Sequence, residues 1–208
     1  MATCVMISKF NNPLFWAQDK VMSIQTNLSL SSQKSAALGG IVDVPGDKSM
    51  SHRSLILGSL AIGTTKVTGL LEGADVLATA DAMSALGSDI ERLDDGTWVI
   101  VGQGLHGLEA PEKALDLGNS GTGVRLLMGV VASQPITATF TGDASLSVRP
   151  MARITDPLQQ MGTLVSSRDG GLLPVTITGQ NEPMAISYES PVASAQIKSA
   201  ILLAGLTA

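Results

Sequence analysis

Pro45-Gly46-Asp47-Lys48-Ser49-Met50-Ser51-His52-Arg53 is a small, polar, hydroxyl-rich turn, and Ser54-Leu55-Ile56-Leu57-Gly58-Ser59-Leu60-Ala61 follows it at once as an apolar run. The combination predicts a helix that begins at a cationic turn and runs into the protein interior. Two further stretches have the same form. Gly118-Asn119-Ser120-Gly121-Thr122-Gly123-Val124-Arg125 leads into Leu126 to Ala132, and Ala193-Ser194-Ala195-Gln196-Ile197-Lys198 leads into Ile201 to Ala204. A helix start presents unpaired backbone N–H groups and a partial positive charge. Small residues let an anion approach those groups, and Lys or Arg completes its neutralisation. Three such starts imply a ligand with more than one anionic group.

Around these starts the sequence repeats itself. The first unit reads as a strand over Gly40 to Val44, the Lys48–Arg53 turn, a helix, and a strand over Lys66 to Leu70. An amphipathic helix follows over Asp75 to Leu86, with Val76, Ala80, Met83 and Leu86 on one stripe and Gly87 as its stop. Asp89 to Arg92 and Thr97 to Val101 form a hairpin around Asp95-Gly96. The second unit keeps that order. It has a strand over Ala114 to Leu117, a helix over Arg125 to Ala132, and a strand over Thr137 to Thr141. A helix over Met151 to Met161 comes next, with Pro150 in its first turn and a kink expected at Pro157. The unit closes on a hairpin of Thr163 to Ser166 with Pro174 to Thr178 around Asp169-Gly170. The stop glycines, Gly87 and Gly162, lie roughly 75 residues apart, which suits a βαβαββ repeat. A third unit opens with a strand over Ala185 to Tyr188, turns at Ser194 and reaches its first helix. The fold expected is therefore mixed α/β, with about two and a half repeats. The first helix of each unit is apolar nearly all round and is expected to be buried, its polar start meeting the other two at one end.

Composition narrows the function classes. The 208 residues carry a formal net charge of −5, which argues against a general nucleic-acid binder. No apolar run approaches the ~18 residues of a membrane span. The single cysteine, Cys4, excludes an internal disulfide framework, and His52 and His106 lack companions at metal-ligand spacing, so no metal is expected. Gly46-Asp47-Lys48-Ser49 lacks the upstream glycine of a nucleotide P-loop, and Gly118 to Gly123 lacks the Rossmann spacing. His52 beside Ser51 is adjacency in sequence and not a catalytic triad. Residues 1–40 show no sustained period and contain neither Arg nor, beyond Asp19, any acid. They read as a leader, disordered or added, with a targeting segment as the alternative. Residues 41–208 read as one incomplete domain.

Four ordered motifs carry a resemblance: Pro45 to Arg53, Leu117 to Arg125, Gly142-Asp143-Ala144-Ser145-Leu146-Ser147-Val148-Arg149-Pro150-Met151, and Ser194 to Ser199. Together they resemble the 5-enolpyruvylshikimate-3-phosphate (EPSP) synthase family, in its class II form, from about Ile41 to Ala208. The resemblance implies an enolpyruvyl transferase-type prism of βαβαββ units with buried helices. It implies transfer of the enolpyruvyl group of phosphoenolpyruvate to the 5-hydroxyl of shikimate 3-phosphate, with release of phosphate and no cofactor. The pathway implied is that of chorismate and the aromatic amino acids, in the cytoplasm or, if the leader is a targeting segment, a plastid.

Carried over by motif, Lys48 faces both substrates. Ser49, Arg53, Ser194, Ala195 and Gln196 hold shikimate 3-phosphate. Asn119, Gly121, Thr122, Arg149 and again Gln196 hold phosphoenolpyruvate. Ala195 stands where many relatives have serine, Ser120 replaces a common alanine, and Leu126 follows Arg125 where many have proline. Gly121 leaves open the space in which a methyl group is expected to crowd glyphosate. The family's carboxylate base, a key lysine and further arginines belong to a later half. No catalytic residue is therefore assigned here, and the chain is expected to act only with a complementary C-terminal portion, its partners otherwise being small anionic substrates. The rival reading is a non-catalytic fragment or one half of a split enzyme. UDP-N-acetylglucosamine enolpyruvyl transferase, which shares the fold, is disfavoured because its loop cysteine has no counterpart.

Overall fold

The structure is a computed structural model that describes residues 31–34, 36, 37 and 39–208. Most of the leader, Cys4 included, lies outside the described residues. The chain divides into two units, Met1–Val44 and Pro45–Ala208. In the first, the described residues form no helix and no extended strand. The strand expected over Gly40 to Val44 is absent: Ile41, Val42 and Val44 are exposed and have no ladder partner among the described residues. An apolar stretch becomes a strand only when another strand takes up its backbone groups.

The second unit begins with α1 (Lys48–Leu60), β1 (Ile62–Val67), α2 (Ala74–Ala85), β2 (Asp89–Arg92) and β3 (Trp98–Gln103). It continues with β4 (Leu115–Asp116), α3 (Gly121–Ala132), β5 (Thr137–Thr141), α4 (Ala152–Gln160), β6 (Leu164–Arg168) and β7 (Leu172–Thr178). It ends with α5 (Ala195–Ala204) and a 3-10 turn, Gly205–Thr207. The sheets have the orders β1-β3-β2 and β4-β5-β7-β6. All neighbouring strands are antiparallel except β4 and β5, which are parallel and joined through α3. The strand order β1-β3-β2 therefore matches β5-β7-β6, and the second repeat, from β4 to β7, is a complete βαβαββ element.

Local turn chemistry explains why the two repeats look alike. Gly87 and Gly162 sit at φ 98° and 97° just past α2 and α4, a conformation that L side chains rarely adopt. Gly96 and Gly170 take φ 82° and 78° in the two hairpin turns. Val76, Ala80, Met83 and Leu86 are all buried, as the α2 stripe requires. The strand expected after the first helix of the first repeat lies earlier, at Ile62–Val67 rather than Lys66 to Leu70. There it pairs along its whole length with β3. Pro150 stands just outside α4, whose N-cap is Met151, and Pro157 lies inside that helix. Ala185 to Tyr188 is not a strand. Ile186 and Tyr188 instead pack against the main core as irregular backbone.

Burial is unequal among the three apolar helices. In α3, Val124 and Leu126 to Ala132 are buried without interruption, because α1, α2, α4 and α5 surround this helix. By contrast, Met50 and Leu57 of α1 and Leu202 of α5 are about half exposed or more. The expectation that all three helices are enclosed holds for α3 alone, since α1 and α5 flank it and each keeps one open face. The main core gathers α3, α4, α5 and the four-stranded sheet around Phe140, Leu127 and Met128. A smaller core of Leu55, Val76, Trp98 and Ile100 joins α1 and α2 to the first sheet.

Candidate functional site

Each of the three helix starts is closed by a side-chain cap. Asp47 Oδ1 accepts from Met50 N at 2.7 Å, which places Lys48 and Ser49 in the exposed first turn of α1. Ser120 Oγ accepts from Gly123 N at 3.2 Å, and Ser194 Oγ accepts from Ile197 N at 3.4 Å. None of these helices has an acidic residue in its first turn; the Asp47 cap offsets the positive end of α1, whereas α3 and α5 start from neutral serine caps.

Side-chain bonds tie the starts together. Gln196 of α5 donates through Nε2 to Thr122 Oγ1 at 3.1 Å, and its Oε1 accepts from Arg125 Nη1 at 3.1 Å, so both bonds reach α3. Arg53 of α1 donates to Ser199 Oγ of α5 at 2.8 Å. Lys48 pairs with Asp75 Oδ2 at 2.5 Å, and the backbone carbonyl of Asp75 accepts from Ser120 Oγ at 3.0 Å. Arg149 donates to Asn119 Oδ1 at 2.6 Å and to Ser145 Oγ at 3.0 Å. Lys48, Arg53, Asn119, Gly121, Thr122, Arg149 and Gln196 thus belong to one connected end of the domain. Ser49 contributes its backbone carbonyl to Arg53. Ser194 and Ala195, with Lys198, line a shallow depression beside them. Asp75, Ser145 and Ser199 were not among the residues expected from the sequence.

The arginines at this end lack carboxylate partners among the described residues. Among the described residues the ion pairs are Lys48–Asp75 and Arg92–Glu72, so Arg53, Arg125, Arg149 and Arg153 have no carboxylate within reach. Arg125 is half-buried. Its Nη1 bonds to Gly121 O and Gln196, while its buried Nε has no partner. Burial, together with the Arg153 and Arg149 cations, holds its pKa below the usual arginine range. A guanidinium keeps its charge even so, because its ordinary pKa is so high. A Cβ placed on Gly121 would lie 3.0 Å from Nη1 of both Arg125 and Arg149, so the glycine lets two guanidinium groups close over the start of α3. Such an arrangement lacks a counter-anion and offers planar donors that match phosphate or carboxylate. Among the described residues no group of three metal-ligand side chains occurs, and no helix is long and apolar enough to cross a membrane.

A model of the family EPSP synthase (3-phosphoshikimate 1-carboxyvinyltransferase) matches residues 32–208. The chain is 59% identical over 181 residues to the 3-phosphoshikimate 1-carboxyvinyltransferase of Paracoccus denitrificans, covering 87% of this chain and 41% of that protein. It is 60% identical over 177 residues to that of Paramagnetospirillum magneticum, covering 85% of this chain and 40% of the relative. Among solved structures, EPSP synthase from Acinetobacter baumannii is 52% identical with a TM-score of 0.78, over 81% of this chain and 38% of that one. The chain therefore spans about two fifths of the length of these relatives. With the fold, the four motifs and the match over residues 32–208 in agreement, this chain belongs to the EPSP synthase (3-phosphoshikimate 1-carboxyvinyltransferase) family.

Proposed function

We propose that this chain supplies one wall of a site that transfers the enolpyruvyl group of phosphoenolpyruvate to the 5-hydroxyl of shikimate 3-phosphate. The 5-hydroxyl oxygen gives up its proton and adds to C2 of phosphoenolpyruvate while C3 takes up a proton. The tetrahedral adduct then loses a proton from C3 and expels phosphate by C–O cleavage, which restores the enol double bond. Arg125 carries the reading: it is a half-buried cation beside two others, with an Nε that has no partner and no carboxylate in reach among the described residues. In this reading Lys48 spans both substrates. Ser49, Arg53, Ser194, Gln196 and the backbone at Ala195 face shikimate 3-phosphate. Asn119, Gly121, Thr122 and Arg149 face phosphoenolpyruvate, with Gln196 reaching both.

The physical case rests on charge and placement. A tetrahedral adduct keeps the phosphate and carboxylate of phosphoenolpyruvate, and fixed cationic donors stabilise both groups as charge redistributes. Holding two anionic substrates at joined helix starts lowers the entropic part of the barrier. Proton transfer needs an acid and a base of tuned pKa, and we assign those groups to residues that complement this chain. Calorimetric titration with shikimate 3-phosphate tests the wall directly. Saturable binding that weakens with salt and is lost in Lys48→Ala is expected. Unchanged binding in both Lys48→Ala and Arg53→Ala would overturn the assignment. Phosphate release from the two substrates is expected only when a C-terminal portion of a family member is added. Robust release by the chain alone would refute the division of labour.

A further inference from the structure

His52 is fully buried on α1, one helical turn beyond Lys48 and next to Arg53. Its Nδ1 lies 2.8 Å from Thr79 Oγ1 on α2, and its buried Nε2 has no partner among the described residues. Thr79 Oγ1 also lies 3.3 Å from the Asp75 carbonyl, which in turn accepts from Ser120, the cap of α3. The same hydroxyl lies 2.7 Å from where a Cβ on Gly123 would sit, so it rests against the first turn of α3. One imidazole and one hydroxyl therefore join three helices a turn beneath the site.

Donor counting sets the tautomer. A threonine hydroxyl has one hydrogen. If that hydrogen goes to the Asp75 carbonyl, Nδ1–H of His52 donates to Thr79, both contacts are made, and Nε2 is left as a bare lone pair. The opposite assignment makes one bond fewer and leaves an N–H orphaned in the core, which is the costlier defect. Burial pushes the imidazole pKa down; Lys48 and Arg53 push the same way, and Asp75 opposes them. The ring is neutral at physiological pH, as this bonding needs.

We infer that His52 is a positioning residue, whose bond to Thr79 fixes the start of α1, and with it Lys48 and Arg53, against the start of α3. The inference rests on reading that end as the shikimate 3-phosphate site. The other contacts of this end of α1 are less suited to the task. The Lys48–Asp75 pair is half-exposed and open to competition from an arriving anion. The bond from Leu71 N to Ser51 Oγ ties α1 to a loop rather than to α3.

The test uses His52→Asn, whose amide nitrogen can take the place of Nδ1, His52→Leu, Thr79→Ser and Thr79→Val, all in the whole chain. Shikimate 3-phosphate binding is measured by calorimetry, and backbone amide shifts by NMR. His52→Leu and Thr79→Val are expected to weaken binding about tenfold each, and the double variant no more than either alone. His52→Asn and Thr79→Ser should bind within about twofold of the parent. Amides of Lys48, Ser49 and Gly121 to Gly123 should shift together in Thr79→Val. Equal affinity in Thr79→Val and the parent, or amide shifts confined to α2, would overturn the inference. If the parent fails to bind shikimate 3-phosphate, the functional reading fails, and the amide shifts decide the positioning role alone. Should Leu and Val variants not fold, the Asn and Ser pair still decides it, since loss of affinity in both would refute the mimicry.

Discussion

Arg125 Nη1 donates to Gln196 Oε1 at 3.1 Å across 71 residues of sequence, and the other end of the same amide donates to Thr122. One glutamine side chain thus bridges two helix starts and occupies a donor of a half-buried cation at the site. In Gln196→Ala both bonds are lost, but neither partner is sealed from water. Stability should fall by less than about 1 kcal/mol, since water replaces much of what a half-exposed pair loses. Affinity for shikimate 3-phosphate should fall about tenfold, the equivalent of one net hydrogen bond. Calorimetry and a urea melt separate the two; a large stability loss with unchanged affinity would make Gln196 a structural tie only.

Gly121→Ala follows from the two guanidinium groups over α3. The added methyl crowds the tips of Arg125 and Arg149, each 3.0 Å away and each able to swing aside, and makes ordinary contact with Leu146 Cδ1 at 3.8 Å. The fold should be unharmed, while the displaced guanidinium groups weaken phosphoenolpyruvate and glyphosate binding together. Inhibition and KM measured on the chain with a complementary C-terminal portion check this, and an unchanged glyphosate inhibition constant would sink the crowding idea.

What could be read from sequence followed the range of the forces involved. Gly87 and Gly162 mark helix ends, and Asp95-Gly96 and Asp169-Gly170 mark hairpins, because a positive φ is a property of a few adjacent atoms. The α2 stripe was equally plain, since its period is local. Strands were less legible. Gly40 to Val44 and Ala185 to Tyr188 are apolar enough for strands, but a strand exists only with a partner, and neither has one among the described residues. The apolar run of α1 resembles that of α3, yet only α3 is surrounded, which depends on packing order. At the site, motif residues were visible as helix starts. Their supports were not: Asp75 reaches Lys48 from 27 residues away, and Ser199 reaches Arg53 from 146.

Helical glycines give a sharper stability test. Gly129 of α3 faces α5 so closely that a Cβ would sit 2.3 Å from the Ala200 carbonyl oxygen and 2.8 Å from its Cα. Backbone atoms cannot rotate away, so Gly129→Ala must push the two helices apart. A loss of about 3 kcal/mol is expected despite the better helix propensity of alanine. In Gly58→Ala the nearest atom is Ile100 Cδ1, at 3.0 Å, the flexible end of a side chain. That substitution should cost less than about 1 kcal/mol. Urea melts of the two variants should differ in this order, and the reverse order would mean that the α3–α5 approach is looser than it looks.

The buried imidazole makes stability depend on pH in a definite direction. In the folded chain the pKa of His52 lies below its ordinary 6.5, first because of burial and then because of Lys48 and Arg53, partly offset by Asp75. Below pH 6.5 the unfolded chain therefore binds a proton that the folded chain resists, and unfolding is favoured. The contribution is fully present above pH 6.5 and is lost progressively as the pH falls through that value toward the folded pKa. Glu72 acts in the same direction but lower. Its pKa is held below 4.5, first by its hydrogen bond from Arg92, so its contribution fades only in more acidic solution. A melt series between pH 7 and 5 consequently isolates the histidine. The parent should lose stability steadily across this range. His52→Asn, which keeps a donor toward Thr79 and cannot titrate, should show a flatter profile. If the two profiles run parallel, the imidazole is not the group that takes up the proton.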